Sequence, residues 1–567
     1  MTDANEQMTA GGAIFPRLKA LGVDYVFANS GTDFPPIIEG LAEAGARGQE
    51  LPQALVIPHE HAAMGMAHGY YLMTGRAQAV MLHTNVGLAN GAIGAINAAC
   101  EHIPMLLMSG RTPVTEAGRL GSRTVPIGWG QEMFDQAALV REACKWENEL
   151  RFPEQMAPLL DRAHAIANST PKGPVYLSLP REVLCEQIDT QGLFAPPAIQ
   201  PSETMASPAS IRAAAEMIAD AKRPIVFAQR GLGSDEAFTA FGAWLEDWAI
   251  AYPSWWITQL ALPTDHPCHI GPEPGHWLEE ADVVVVINAL APWWPDKHSV
   301  NPDAKVIHIG PDPLFSRFPT RTFRSDLTLT GEVAPIMEAL MAEMSDMPRG
   351  AELPTRRTAL AKAAAAERKV RHELATASTA KGITKAYVSH CLGEVLAGET
   401  STVLSELGTI LGPLERREHL SWLVEPHSGG LGWSFPAALG AKLADPTRTV
   451  VATMGDGSYM FANPTVCHQI AEALELGILV IVLNNEEWGA VRHSVTGVYP
   501  DGFASRANRM PLTALKPSPD FTKTAEASRA WTRTVREPAD VIPALEKALA
   551  ATAKGRLALL DIRILPD

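Results

Sequence analysis

Apolar residues fall along this chain in short dense bursts, each followed by a longer stretch in which they return every three or four positions. Across residues 14–186 the bursts read YVFANSG, LVIPH, AQAVMLHTN, PMLLMSG and PVYLSLP. A short, nearly continuous apolar run suits a strand buried on both faces, and the 3.6-residue period between runs is that of an amphipathic helix. Strand and helix in alternation predict a parallel sheet wrapped by helices. The pattern then recurs. PIVFAQ, DVVVVIN and KVIHIG predict a second such unit, and STVLSEL, TRTVVATMG, ILVIVLNN and LALLDIRI a third. A Pro-rich connector at residues 195–208 separates the first two, and a polar Ala/Lys/Arg-rich stretch at 347–380, expected to be an exposed helix plus linker, separates the last two. The prediction is an α/β protein of three parallel-sheet domains, at residues 1–190, 209–346 and 380–567.

Length agrees with that division, since 567 residues exceed what one hydrophobic core organises. The net charge of -16, with no run of clustered Lys and Arg, argues against a nucleic-acid partner. Six cysteines lie scattered in apolar segments without a CxxC pair, the pattern of reduced core thiols in a cytoplasmic protein. The polar N-terminus lacks the basic and apolar regions of a secretory signal, and no apolar run is long enough for a membrane span. A soluble protein acting on a small molecule is expected.

The chemistry concentrates in GDGSYMFANPTVCHQIAEALELGILVIVLNNEEWG, residues 455–489. Gly455, Gly457 and Ser458 surround Asp456 where a strand ends, so the backbone can approach an anion closely while the carboxylate offers a hard ligand to Mg²⁺. Asn463 and Pro464 have the makings of an N-cap and first helical position, and the next strand ends at Asn485. In a parallel βαβ unit Asp456 and Asn485 then stand at the carboxyl ends of neighbouring strands, where α/β sheets bind ligands. In the first domain, VIPHEHAAMGMAHGYYLMTGR puts Glu60 in the first turn of an Ala/Gly/Met-rich helix. A carboxylate in apolar surroundings needs a polar partner. The small residues Gly87, Gly91, Gly94, Ala95 and Ala98 of the following helix predict close packing against a neighbouring domain or subunit.

These strings resemble the thiamine diphosphate enzymes that include acetolactate synthase, benzoylformate decarboxylase and pyruvate decarboxylase, whose signature is GDG followed by NN. The resemblance implies that Asp456, the Asn485 side chain and the backbone carbonyl of Glu487 bind the metal. It also implies that Glu60 hydrogen-bonds N1′ of the aminopyrimidine and so promotes removal of the thiazolium C2 proton. HSGGLGWSFPAALGAKLADP is similar to the family segment whose bulky residue wedges under the cofactor, here Leu431, with the Gly429 carbonyl accepting from the 4′-amino group. Gly408, Thr409, Gly455, Gly457, Ser458 and Trp488 join the cofactor side by the same resemblance, Trp488 having a core position as its alternative.

For the substrate side, His83 in LHTNVG is similar to the active-site His of benzoylformate decarboxylase, and Gln131 in GQEMFDQ to the glutamine of acetolactate synthase; Thr32 sits where family loops place a small polar group. FAD is not expected, because NALAPWWPDKHS and HIGPDP depart from the acetolactate synthase strings. The resemblance implies a thiamine diphosphate- and Mg²⁺-dependent carbon–carbon lyase or carboligase acting on 2-oxo acids or 2-hydroxy carbonyl compounds, a homodimer at least and by family habit a homotetramer. The alternatives are a non-oxidative 2-oxo acid decarboxylase and a catalytically inert homologue. NNEE favours the ligase, His83 the decarboxylase.

Overall fold

The computed structural model describes residues 7–376, 381–507 and 509–566. The start of the expected polar N-terminus and the last four residues of the expected linker, 377–380, lie outside the described residues. The chain divides into two compact units, Met1–Ser202 with Pro426–Pro446, and Glu203–Glu425 with Thr447–Asp567.

The first unit holds β1 (Gln7–Thr9), β2 (Tyr25–Ala28), β3 (Gln53–Val56), β4 (Gln78–Leu82), β5 (Met105–Arg111), β6 (Glu147–Glu149), β7 (Pro174–Pro180) and β8 (Gln187–Asp189). Six of these form a parallel sheet in the order β3-β2-β4-β5-β7-β6, and β1 pairs antiparallel with β8. QAVML of β4 and PVYLSLP of β7 are buried at every position, which is why the sequence shows runs there and not alternation.

The second unit holds two parallel sheets. The first, of β9 (Pro224–Ala228), β10 (Val283–Ile287), β11 (Lys305–Gly310) and β12 (Leu327–Thr330), runs in simple order. The second comprises β13 (Ser401–Glu406), β14 (Trp422–Val424), β15 (Thr449–Gly455), β16 (Leu479–Asn484), β17 (Trp531–Val535) and β18 (Ala558–Arg563), ordered β14-β13-β15-β16-β18-β17. The fold class is thus α/β with three parallel sheets. Both six-stranded sheets run second, first, third, fourth, sixth, fifth in their own chain order. Each reverses direction first between β2 and β4 or between β13 and β15, and such switch points open a crevice at the carboxyl ends of the strands.

The Lys/Arg-rich stretch is only partly exposed. Its helix, Leu353–Thr376, buries Leu353, Leu360, Ala364 and Ala375 along one side. The glycine face of helix Thr84–Cys100 does not wait for another domain either: Gly91 and Gly94 abut Leu82 and Met64 inside the first unit. The other side of Met64's helix, Glu60–Thr74, meets helix Ser434–Ala444 of the same unit backbone to backbone. A Cβ on Gly69 would lie 1.9 Å from the Ala437 carbonyl oxygen. Neither helix backbone can yield locally, so Gly69→Ala is expected to lose about 3 kcal/mol, the upper end for overpacking. Urea unfolding checks this; an unchanged midpoint with unchanged slope would refute the close approach.

Candidate active site

Glu60 is the first residue of its helix and follows β3, with only 7% of its surface exposed. It has the polar partners its surroundings demand. Asn29 Nδ2 donates to Oε1 at 2.9 Å and Asn90 Nδ2 to Oε2 at 3.1 Å, so each oxygen keeps a lone pair for a further donor. The segment with Gly429 and Leu431 belongs to this same unit and is tied to helix Thr84–Cys100: Asn97 Nδ2 donates to the Gly430 carbonyl at 2.9 Å, and Ser428 Oγ to Asn97 Oδ1 at 2.6 Å. Gly429 (φ 70°) and Gly432 (φ 83°) take left-handed turns that leave Leu431 half-buried between them.

At the switch point between β2 and β4, His83 follows β4 and Asp33 lies in the loop after β2. His83 Nδ1 is 2.5 Å from Asp33 Oδ1, and its Nε2 is 3.2 Å from Gln131 Nε2. Asp33 is buried and also accepts from the Thr84 N–H at 3.4 Å. Two glycines make room: a Cβ on Gly31 would fall 2.1 Å from His83 Nδ1, and one on Gly110 would fall 1.5 Å from Asp33 Oδ2. The Asp33 hydrogen bond raises the His83 pKa above the usual imidazole value, against desolvation. Thr32 is exposed beside this pair.

Because the folded value is raised, the pair contributes its full stability below the unfolded pKa of about 6.5 and loses it as pH climbs through the folded value. Asp33→Asn is therefore expected to lower the His83 midpoint in an NMR titration of the ring protons. The stability gap between wild type and variant should narrow as pH rises through that midpoint. A midpoint that stays put would remove Asp33 as the cause.

In the second unit, β15 ends at Gly455, and a short helix, Asp456–Phe461, starts at once where the sequence reads as a turn. The following helix, Pro464–Ala473, has Asn463 at its N-cap in a left-handed conformation (φ 52°) without a side-chain cap, so Asn463 serves by its backbone geometry. Asp456 is 3% exposed. Main-chain N–H groups of Gly457 and Glu486 reach its carboxylate, yet burial pushes its pKa up to about 6. Its buried Oδ2 has no hydrogen-bond partner. Ser458 is buried within the same short helix, and Gly457 lies under Trp488, whose ring stands where a Cβ would go, 2.1 Å away.

β16 pairs with β15 in register, Gly455 beside Leu483, which brings the Asn485 loop to Asp456. Asn485 Oδ1 accepts from the Glu487 N–H at 3.1 Å. The Glu487 side chain turns away to Arg492, at 2.7 and 2.9 Å, while its carbonyl accepts from the Gly489 N–H at 3.0 Å. Gly408 and Thr409 lie after β13, across the switch point: Thr409 N–H donates to Thr453 Oγ1 at 3.1 Å, and Gly408 packs against the Thr453 backbone.

Sequence reasoning missed Asn29, Asn90 and Asp33, polar loop or helix residues with no motif of their own. It also missed Glu425 at the end of β14, whose pKa burial and the neighbouring Glu406 carboxylate push up to about 8. Among the described residues no three His, Cys, Asp or Glu side chains are grouped to hold a metal ion. A cation at Asp456 would draw its other ligands from amide and carbonyl oxygens and from a bound anion. The buried, unpartnered Oδ2 fits that demand for positive charge.

Two sheets of one topology, one with a buried carboxylate between two glycines at its switch point, define an α/β protein whose ligand crevice lies at the carboxyl ends of its strands. The chain belongs to the thiamine pyrophosphate enzymes: their N-terminal TPP binding domain matches residues 8–139, the central domain 211–340 and the C-terminal TPP binding domain 409–562. It is 28% identical to a protein of Pseudomonas aeruginosa named as a probable 2-ketoarginine decarboxylase, over 98% of this chain and 94% of that protein. It is 24% identical to the acetolactate synthase isozyme 3 large subunit of Escherichia coli, over 96% and 92%. The fold is shared with a thiamine diphosphate-dependent 4-hydroxybenzoylformate decarboxylase of Rhodococcus jostii, at a TM-score of 0.77 and 23% identity, covering 99% of both chains. No described helix is long and apolar enough to cross a membrane.

Proposed function

We propose that this chain is a thiamine diphosphate- and Mg²⁺-dependent carbon–carbon lyase or carboligase acting on 2-oxo acids or 2-hydroxy carbonyl compounds. The observation that carries the reading is the buried Asp456 carboxylate, unpartnered on Oδ2, at the switch point of the domain matched as TPP binding. When bound, thiamine diphosphate supplies the carbon nucleophile and the electron sink for cleavage beside a carbonyl. Asp456, the Asn485 side chain and the Glu487 carbonyl hold Mg²⁺, which prefers a few protein oxygens completed by phosphate and water. Gly408, Thr409, Gly455, Gly457, Ser458 and Trp488 line the cofactor, Gly429 and Leu431 set its conformation, and Glu60 holds the proton at the aminopyrimidine. His83 and Gln131 face the substrate.

A second reading, a simple 2-oxo acid decarboxylase, draws support from the Asp33-raised His83, a group that can hold a proton near neutral pH for delivery to carbon. The presence of Glu60, Asp456 and Asn485 counts against an inert homologue. The assembly proposed is a homodimer or homotetramer in the cytoplasm, working without FAD. The test is a donor panel of pyruvate, benzoylformate, benzoin and 2-hydroxyacyl thioesters, each with and without an added aldehyde, in thiamine diphosphate and Mg²⁺. Acyloin or acetolactate-type products support ligation, and aldehyde release alone supports decarboxylation. Inactivity across the panel with cofactor bound would favour the inert homologue.

A further inference from the structure

Beside His83 the first unit contains a small cavity of about 60 Å³ whose lining includes both partners of that ring, Asp33 and Gln131, together with Thr84, Arg111, Thr112 and Arg181. Three of the lining residues carry buried polar atoms with no partner: Arg111 Nε, Thr112 Oγ1 and Thr84 Oγ1. Both threonines are 2% exposed. Arg111 gives its remaining groups to Glu132 and Glu149, at 3.1 and 3.2 Å, and to the Met133 carbonyl at 3.0 Å. Arg181 has no ion pair among the described residues. Its guanidinium is held instead by three main-chain carbonyls, Gly121 at 2.8 Å, Thr32 at 2.9 Å and Ser122 at 2.6 Å, which fix its position without neutralising it. The one carboxylate in the lining, Asp33, is already committed to His83.

An unsatisfied buried donor costs free energy that folding alone does not recover, so clustered donors beside an uncompensated guanidinium call for an acceptor with negative charge. The volume has room for one small charged group, since about 10–15 Å³ of such space admits a single water. We propose that this cavity is a subsite for a second anionic group, a carboxylate or sulfonate carried on the substrate beyond its reacting carbonyl, bound by Arg181 and Arg111 with the Thr112 and Thr84 hydroxyls. This deepens the functional reading above and rests on His83 facing the substrate. It selects against a cationic tail, because a guanidinium or ammonium would meet Arg181, which no carboxylate among the described residues neutralises.

The experiment has a binding arm and a turnover arm. Calorimetric titration of the cofactor-loaded enzyme with glutarate and with 3-sulfopropanoate, against butanoate as the singly charged reference, measures the subsite without chemistry. Charge-assisted hydrogen bonds of this kind predict a preference of about 10- to 100-fold for the doubly charged acids. Arg181→Gln and, separately, Thr112→Val should each reduce that preference, Arg181→Lys less than Arg181→Gln. In turnover, 2-oxoglutarate should exceed 2-oxopentanoate in kcat/KM by a similar ratio, and 2-oxo-5-guanidinopentanoate should fall below both. Equal binding of the three acids, or a preference that survives both Arg181→Gln and Thr112→Val, overturns the subsite. Inorganic phosphate binding more tightly than either diacid would assign the cavity to a free anion and overturn it too. Preferential diacid binding without turnover of any donor would uphold the subsite and fail the proposed activity, so the two failures stay separate.

Discussion

Asp456→Asn is expected to lower retention of thiamine diphosphate at millimolar Mg²⁺ by at least ~100-fold, since even outer partners of a metal cost 10–100-fold when removed. The substitution keeps shape and one oxygen but removes the charge that meets the cation. Its effect on the fold runs the other way. In the cofactor-free protein the wild-type carboxylate is buried with Oδ2 unpartnered, a cost that a neutral amide lessens. The cofactor-free variant should therefore unfold at the same temperature as wild type or above it, while the stabilisation that wild type gains on adding cofactor is lost. Calorimetric titration and thermal scans with and without cofactor read the two effects together. Wild-type affinity in the variant would remove Asp456 from the metal site.

Glu60→Gln should leave cofactor binding within a few-fold of wild type and depress turnover by about 10²- to 10⁴-fold, the range ascribed to a positioned acid–base group. The surroundings make this swap less conservative than it looks. Both carboxylate oxygens accept from amide NH₂ groups, of Asn29 and Asn90. A glutamine can offer an oxygen to only one of them and turns its own NH₂ toward the other, a donor facing a donor. Asn90→Asp in the Gln background would give that NH₂ an acceptor and restore local order without restoring the proton at residue 60. Steady-state kinetics beside cofactor titration checks the expectation, and full turnover in Glu60→Gln would end the assignment.

The central strands were legible because burial on both faces leaves little but Val, Ile, Leu, Met and Ala, as in VVVVI of β10 and LVIVLN of β16. Three of the edge strands were not. ENE of β6, LTLT of β12 and WTRTV of β17 keep partly exposed positions, so they lack the continuous apolar run that marks a strand buried on both faces. The loop proposed to hold the metal and Glu60 were legible because the chemistry proposed for them needs particular residue types at fixed offsets. Asp33 was not, because nothing in NSGTDFP sets its carboxylate apart from that of an ordinary turn residue; the partner is a histidine fifty positions away in the chain. Contacts of that separation leave no local periodicity to read.

One chain that builds the same strand order twice runs a hazard during its own synthesis. Strands of one sheet are plausible tenants of the matching slots in the other, and exchange of that kind is a characteristic failure of repeated architectures. Distance along the chain is the protection. The first sheet is complete at Pro180, and the second does not begin until Ser401. At ribosomal speeds of about 5–20 residues per second that gap lasts on the order of 10–40 s, whereas mixed α/β domains fold in milliseconds to seconds. All six strands of the first sheet exist before the first strand of its rival, although its unit still waits for residues 426–446, and β9 to β12 act as a timing device as much as a domain.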